Sequence, residues 1–430
     1  MDKDGYVNEN LRVPVCGDYD VIVCGGGPAG TAAAIASART GARTLLLETA
    51  GCLGGVWTAG QLAWVFDFDK AGFTRELRGE LERRHAKVGV RKNNFTYDIE
   101  EMKLLLEEKC LEAGVEVQLH TRAAAALKDG TNRLRGVFSE SKSGRQVWTA
   151  KAFVDATGDG DLGALAGCGF DYGYHSSDEV QPMTFMALVT VRDVAALQPY
   201  ISFWQGVEPQ QWPRFLEEIR RAGLEPSYAR PTLFQVRDSL LAIMINHEYG
   251  VSALDARQIT QATIRGRAEV QRIVKALDGL GGCWEGIQLV ASADGIGVRD
   301  GRRIHGLYRV AVEDLTSGAR HPDAVARVTF GVDVHSFDSR RNGQESGLSH
   351  MGIKTQSYDI PLRALIAKDV DGLLLAGRCI SGDYLAHASY RVTGNAVSMG
   401  QYAGTAAGLA AASNLLPQQV PWEEISRRFE

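Results

Sequence analysis

An α/β fold is what this sequence predicts: a Rossmann-like domain built on a parallel sheet, joined to an α+β domain with a mainly antiparallel sheet. Three observations carry the prediction. A short apolar run, YDVIVC (19–24), leads through glycines into a helical segment and a second apolar run, making one βαβ unit. A second glycine-rich turn (158–163) and a late buried run, GLLLAG (372–377), return to the same strand-then-glycine pattern. Between them, from about Phe170, the texture changes to separate strand-like runs and one long helix.

The chain of 430 residues is long enough to bury a substantial core, and its length suggests about two or three domains. Its 47 basic and 52 acidic residues leave a formal charge of −5, which gives no electrostatic reason to expect nucleic acid or an anionic membrane surface. A small-molecule partner is expected instead. Seven cysteines, an odd number without CxxC pairs, indicate neither a disulfide framework nor a zinc site, so no metal is expected. The polar N-terminus lacks the basic and apolar regions of a secretory signal, which predicts a cytoplasmic protein. No run reaches roughly 18 uninterrupted apolar residues, so no membrane span is expected.

Taken in order, residues 29–40 read as an alanine-rich helix stopped by Gly41, and Arg43 to Leu47 as a strand closing on Glu48. A helix is expected over 98–113, with Asp98 and Glu101 in a capping-box pattern and Gly114 just past its end. Strands are expected at 115–120, 133–139 and 146–157, then at 183–191 and 239–246, with a helix over 256–277 after Asp255. Asn395 to Ala412 reads as a small-residue helix suited to close packing. The expected division is a discontinuous nucleotide-binding domain (18–170 and 290–415), a substrate or cap domain (171–289), a leader (1–17) and a tail (416–430).

The first glycine turn carries chemistry. Gly25, Gly27 and Gly30 continue to Ala34, Gly41 and Glu48 in the spacing GxGxxG-x3-A-x6-G-x6-E. Gly25 permits the tight turn, Gly27 lets a diphosphate approach the backbone, and Gly30 allows helix and strand to pack closely. Pro28 and Ala29 complete that turn. The helix start offers free N–H groups to the diphosphate, and Glu48 offers a carboxylate to the ribose hydroxyls of an adenosine half. That acid would repel a 2′-phosphate, which disfavours an NADP-type ligand here.

With these segments go GCLGGVWTAG (51–60), VDATGDGDLGALAG (154–167), IGVRDGRRIHGLY (296–308), YDIPLRAL (358–365) and LLLAGRCISGDYLAHASYRVTGNAVSMGQYAGTAAG (373–408). Together they resemble the bacterial FAD-dependent oxidoreductases of the glutathione-reductase-like, two-dinucleotide-binding-domain superfamily. The resemblance spans residues 19 to about 412 and is least distinctive over roughly 170–290, where substrate identity would be encoded.

The resemblance implies FAD as cofactor, with Gly54 and Gly55 along the phosphate and ribityl path and Trp57 and Thr58 near the isoalloxazine. A core role is the alternative for Trp57. Gly158 and Asp159 would stand beside the adenosine and pyrophosphate. Asp383 would bond a ribityl hydroxyl, with Gly377 and Arg378 as nearby alternatives. Gly394, Asn395 and Ala396 would bring a helix start to the pyrimidine edge, where backbone donors stabilise negative charge.

A flavin supplies the redox chemistry, so the protein must orient a substrate and handle a proton. His387, Tyr390 and Arg391 are the catalytic candidates, His387 as general base, against a purely structural histidine. Arg299, Arg302 and Arg303 could clamp a carboxylate, with structural ion pairs expected for at least two of the three. His247 and His350 stay unassigned. No dithiol spacing follows Cys52, which argues against a disulfide relay, and no second complete dinucleotide fingerprint indicates a separate NAD(P)H domain. Covalent FAD through Cys52 or His387 has no distinguishing signal.

The expectation is therefore a dehydrogenase or oxidase moving hydride between a small organic substrate and flavin N5, or reducing an activated C=C bond. A flavin monooxygenase and a non-catalytic FAD-binding module are the alternatives. The electron acceptor or donor and any homo-oligomer stay open.

Overall fold

The computed structural model describes residues 7, 9–91, 93–174, 179–202, 211–339 and 348–429. Residues 1–6 and 8 of the expected leader and the last residue of the expected tail lie outside these.

The main sheet has its centre in apolar segments buried on both faces, at 21–24, 44–47, 152–154 and 373–375. It comprises β1 (Val15–Cys24), β2 (Thr44–Leu47), β3 (Glu116–Gln118), β4 (Arg122–Lys128), β5 (Leu134–Ser141), β6 (Gly144–Asp155) and a late strand, Leu373–Leu375. The order is β3-β2-β1-β6-β5-β4, with Leu373–Leu375 also on β6. Pairings among β1, β2, β3, β6 and the late strand are parallel, and the β4–β5–β6 meander is antiparallel. The register aligns Cys24 with Leu47 and Asp155, and Asp155 with Leu375. All four strands therefore end at one carboxyl edge, the place where parallel α/β sheets bind ligands.

Two small-residue helices cover this sheet. Helix α1 (Pro28–Ala38) follows β1 directly, and Gly41, with φ of +95°, terminates the unit as expected. A helix over Ile99–Glu112, here α2, begins at Asp98, whose carboxylate accepts from Glu100 N at 3.0 Å. The reciprocal half of the expected capping box does not form. Asp98 N already donates to Ala86 O, and Glu101 turns toward Arg84 instead. An amphipathic helix over Phe73–Arg83, which periodicity did not single out, buries Phe73, Leu77 and Leu81.

A second sheet contains β7 (Met186–Thr190), β8 (Thr232–Arg237), β9 (Leu240–Met244) and β10 (Gln288–Ser292) in the antiparallel order β8-β9-β7-β10. Helix α3 (Ala256–Asp278) starts at Asp255, which accepts from Arg257 N and Gln258 N. It packs on the second sheet.

Near the end of the chain, α4 (Tyr384–Tyr390) is followed at once by α5 (Thr393–Ser413). A Cβ at Gly400 would stand 2.0 Å from Ala29 O, and one at Gly404 2.0 Å from Ala33 O. Equal steps along both helices mean that α1 and α5 run parallel, backbone against backbone. Their N-termini therefore point to the same end of the sheet.

Candidate functional site

The carboxyl edge of the sheet gathers four motifs through backbone bonds: Gly25 N to Leu47 O (2.8 Å), Ala156 N to Cys24 O (2.8 Å) and Ala376 N to Asp155 O (2.9 Å). Gly25 takes φ of +96°, and a Cβ there would lie 2.4 Å from Ala156 O, so only glycine makes this turn. A Cβ on Gly30 would lie 1.7 Å from Gly25 O, which is the close helix-to-strand approach expected of it. Gly27 differs. A Cβ there would meet nothing within 4 Å, so its backbone faces open space at the start of α1. Neither α1 nor α5 carries a side-chain cap. Pro28 and Ala29 open α1, and Gly377 stands between the helix starts, 3.0 Å from Ala29 Cβ and 3.8 Å from Ala396 Cβ if given a Cβ of its own.

Glu48 is held in place by the amides of Gly26 and Ala50, and carboxylate oxygens retain lone pairs beyond these two bonds. Gly55 lies on Gly27, its ideal Cβ 3.0 Å from Gly27 Cα, so the GG segment packs onto the first turn. Gly54, with φ of +103°, is covered by the Thr58 side chain. Thr58 is buried, and its hydroxyl donates to Leu53 O rather than standing free. Trp57 is also buried, edge-on to Phe68 with centroids 5.9 Å apart, and its Nε1 has no hydrogen-bond partner.

The second motif turns on Asp155. Its carboxylate accepts from Gly163 N (2.7 Å), Thr157 Oγ1 (2.7 Å) and Thr157 N (3.1 Å), while burial pushes its pKa up to about 6. Asp159 accepts from Arg378 Nη2 at 2.6 Å, and the same guanidinium covers Gly158. The structure thus brings Gly158, Asp159, Gly377 and Arg378 together. Asp383 is engaged differently: one oxygen caps α4 through Ala386 N (2.7 Å) and the other accepts from Val312 N (2.7 Å). At the start of α5, a Cβ on Gly394 would lie 2.2 Å from Asp67 O, and Asn395 is fully buried with neither side-chain amide atom partnered. Open glycine backbone, two uncapped helix starts, a fixed carboxylate and an orphaned buried amide fit an extended dinucleotide lying along this edge.

Beside the start of α5 lies His387, fully buried. Its Nδ1 stands 3.5 Å from Asp300 Oδ1, an ion-pair distance without good hydrogen-bond geometry, and its Nε2 has no partner. Burial drives its pKa down to about 4 against the pull of Asp300. Gln181 orders Asp300 with its backbone N (2.7 Å) and side-chain Nε2 (3.0 Å). Tyr390 stands edge-on to His387, centroids 5.5 Å apart, and donates its hydroxyl to Ile380 O (3.1 Å). Arg391 Nη2 donates to Asp333 O (2.8 Å) and Gln181 Oε1 (3.2 Å). Of the three arginines, Arg302 pairs with Asp161 (2.9 Å), and Arg303 bonds the carbonyls of Gly382 and Gly173. His247 is buried beside Tyr228, whereas His350 bonds Val332 O from an exposed turn.

Sequence reasoning missed Gln181, Asp300, Asp333 and His335. Gln181 and Asp300 come from two distant segments and Asp333 and His335 from a third, around the short strand Val334–His335, and no spacing in the chain marks them.

A family model described as FAD dependent oxidoreductase matches residues 20–429. Among solved structures, a geranylgeranyl bacteriochlorophyll reductase-like protein from Thermoplasma acidophilum aligns over 96% of this chain and 84% of its own, at 15% identity and a TM-score of 0.50. The myxobacterial chondrochloren halogenase, an FAD-dependent halogenase, aligns over 96% of this chain and 79% of its own, at 14% identity and a TM-score of 0.49. At 15% identity the first of these likenesses is one of fold alone. Among the described residues, no helix is long and apolar enough to cross a membrane.

Proposed function

The chain belongs to the FAD dependent oxidoreductase family, and from that premise we propose that it works as a dehydrogenase or oxidase moving hydride between a small organic substrate and the flavin. The fold type is that of two-dinucleotide-binding-domain flavoproteins, the glutathione-reductase-like group, with residues 18–170 and 290–415 holding the cofactor and 171–289 facing the substrate. Seven free cysteines fit a reducing compartment, and we assign the protein to the cytoplasm.

In this reading Gly25, Gly27, Pro28, Ala29 and Gly30 present the start of α1 to the diphosphate, and Glu48 accepts from the adenosine ribose. Gly158 and Asp159, with Gly377 and Arg378, border the same path. Gly54, Gly55, Trp57 and Thr58 shape the wall beyond it, and Asp383 fixes the turn into α4. Gly394, Asn395 and Ala396 bring the α5 dipole to the ring edge, where it favours negative charge. Bound there, FAD supplies the two-electron acceptor.

The observation that carries the chemistry is the buried His387–Asp300 pair next to that helix start. Asp300 sits on the Nδ1 side and favours the tautomer with its proton on Nδ1, which leaves Nε2 a lone pair. A ring held neutral by burial is in the base form at neutral pH, so His387 takes the substrate proton while Asp300 and the Tyr390 ring position it. Arg391, fixed by Asp333 and Gln181, orients a substrate oxygen.

Anaerobic rapid mixing with a panel of small alcohols and amines tests this. A substrate should bleach the flavin absorption without oxygen, and His387→Asn should slow bleaching by at least about 100-fold with FAD content unchanged. Incorporation of an isotopically labelled atom from dioxygen into product would replace the reading with monooxygenation.

A further inference from the structure

The end of the antiparallel sheet that faces Arg391 holds a second polar cluster. Tyr228 leads into β8, His247 and Tyr249 follow β9, Arg299 follows β10, and His335 lies on the short strand Val334–His335. The His247 and His335 ring centroids are 5.0 Å apart, and the Tyr228 ring lies 4.1 Å from the first and 5.9 Å from the second.

Arg299 is the anomaly in this cluster. Its Nη1 is fixed by Pro182 O (2.6 Å) and Thr184 Oγ1 (2.7 Å), yet no carboxylate among the described residues stands within ion-pairing distance of it. The charges of Asp333 and Asp300 act on it, but these carboxylates are engaged with His335 and Arg391 and with His387 respectively. Burial and the like charge of Arg391 pull the Arg299 pKa down to about 10. The residue is only partly buried.

The two histidines add a second, independent sign. They are 3% and 5% exposed, and each leaves one ring nitrogen without a partner: Nε2 of His247 and Nδ1 of His335. Tyr249 gives its hydroxyl proton to Ser227 O (3.1 Å), so the 3.3 Å contact to His247 Nδ1 is donated by the imidazole. His247 Nε2 is then an acceptor that awaits a donor. Buried polar atoms are costly to leave unpaired, and a cluster that offers a cation without a carboxylate partner beside an unpaired acceptor suits a ligand with both complements.

We propose that this cluster is the recognition end of the substrate site, in which Arg299 binds a carboxylate and His247 accepts from a hydroxyl or amino group next to it. The substrate class is a small hydroxy or amino carboxylate. This rests on the oxidoreductase reading above and deepens it, because the cluster is joined to the His387 pair through Gln181, which bonds Asp300, Arg391 and the His335 backbone.

Calorimetric titration of the holoprotein with glycolate, acetate and the neutral acetamide and glycolamide tests it. Both acids should bind at least tenfold more tightly than their amides, glycolate more tightly than acetate. Arg299→Gln should weaken both acids tenfold or more, and His247→Phe should weaken glycolate but not acetate, with FAD content unchanged by absorption. Amides binding as well as acids, or acetate affinity indifferent to Arg299→Gln, would overturn the proposal. Should Arg299→Gln fail to fold, the wild-type comparison of acids with amides decides alone. Acid binding without any substrate that bleaches the flavin would sink the hydride reading and leave the pocket standing. Bleaching by substrates without a carboxylate, with no acid binding, would do the reverse.

Discussion

Asp159 accepts a 2.6 Å hydrogen bond from Arg378, and this single contact ties the second glycine motif to the last one across 219 residues of sequence. Each side chain is 23% exposed, so solvent screens the pair only partly. In the function proposed above, Arg378 neutralises a carboxylate that borders the diphosphate path. Arg378→Gln is expected to weaken FAD binding by about tenfold, or about 1.4 kcal/mol. Adding Asp159→Asn to that variant should restore most of the loss, because the unpaired charge goes with it. Fluorescence titration of the apoprotein with FAD measures all three proteins, and additive losses would contradict the linkage.

Acid should destabilise the fold before the surface carboxylates titrate. Burial lowers the pKa of His335 and of His387 to about 4, the first helped by the Arg299 charge and the second opposed by Asp300, and burial also holds His247 well below its ordinary value. Between that pKa and the unfolded value of about 6.5, the unfolded state binds the extra proton. Stability therefore rises with pH through this window and is lost on acidification, by up to about 1.4 kcal/mol per pH unit for each group. Asp155 acts oppositely: its pKa is raised by burial to about 6, so its contribution falls as pH rises from about 4. Three histidines against one carboxylate leave a net loss in acid. Melting curves from pH 7 to pH 4.5 check the sign, and His335→Gln should flatten the slope.

The sequence revealed what backbone geometry demands and concealed what tertiary proximity creates. Gly25, Gly30, Gly41 and Gly114 were legible because a turn, a close approach or a helix stop leaves only glycine, and Asp255 because an N-cap is a local event. The antiparallel sheet was visible in its apolar runs. By contrast Asp98 forms half of its expected box because Ala86 has already taken its N–H, a contact between residues 12 apart. Thr58 turns to Leu53 O, a local acceptor that competes with any ligand. Gln181, Tyr228, Asp300 and His335 meet only through folding, so no window of sequence could have grouped them.

The α1–α5 seam gives a paired stability prediction. Gly404→Ala places a methyl 2.0 Å from Ala33 O and must push two packed helices apart, at a cost of about 1–3 kcal/mol. Gly79→Ala, within the helix Phe73–Arg83 and with nothing within 4 Å of its new Cβ, should instead stabilise by about 0.5–1 kcal/mol. Urea unfolding of both variants reads the two signs, and equal effects would refute the seam.

FAD binding at the carboxyl edge of the sheet is tested most directly at Gly27. Its φ of −69° suits any residue, and an added Cβ would meet no atom within 4 Å, so Gly27→Val should fold, losing about 1 kcal/mol or less as a poorer helix N-cap. The measurement is the visible absorption spectrum of this folded variant after incubation with FAD and gel filtration. The expected result is a colourless protein that melts close to the FAD-free parent, because the new side chain would occupy the ground of the diphosphate. A folded Gly27→Val protein that keeps a full complement of FAD would contradict it and place the cofactor elsewhere.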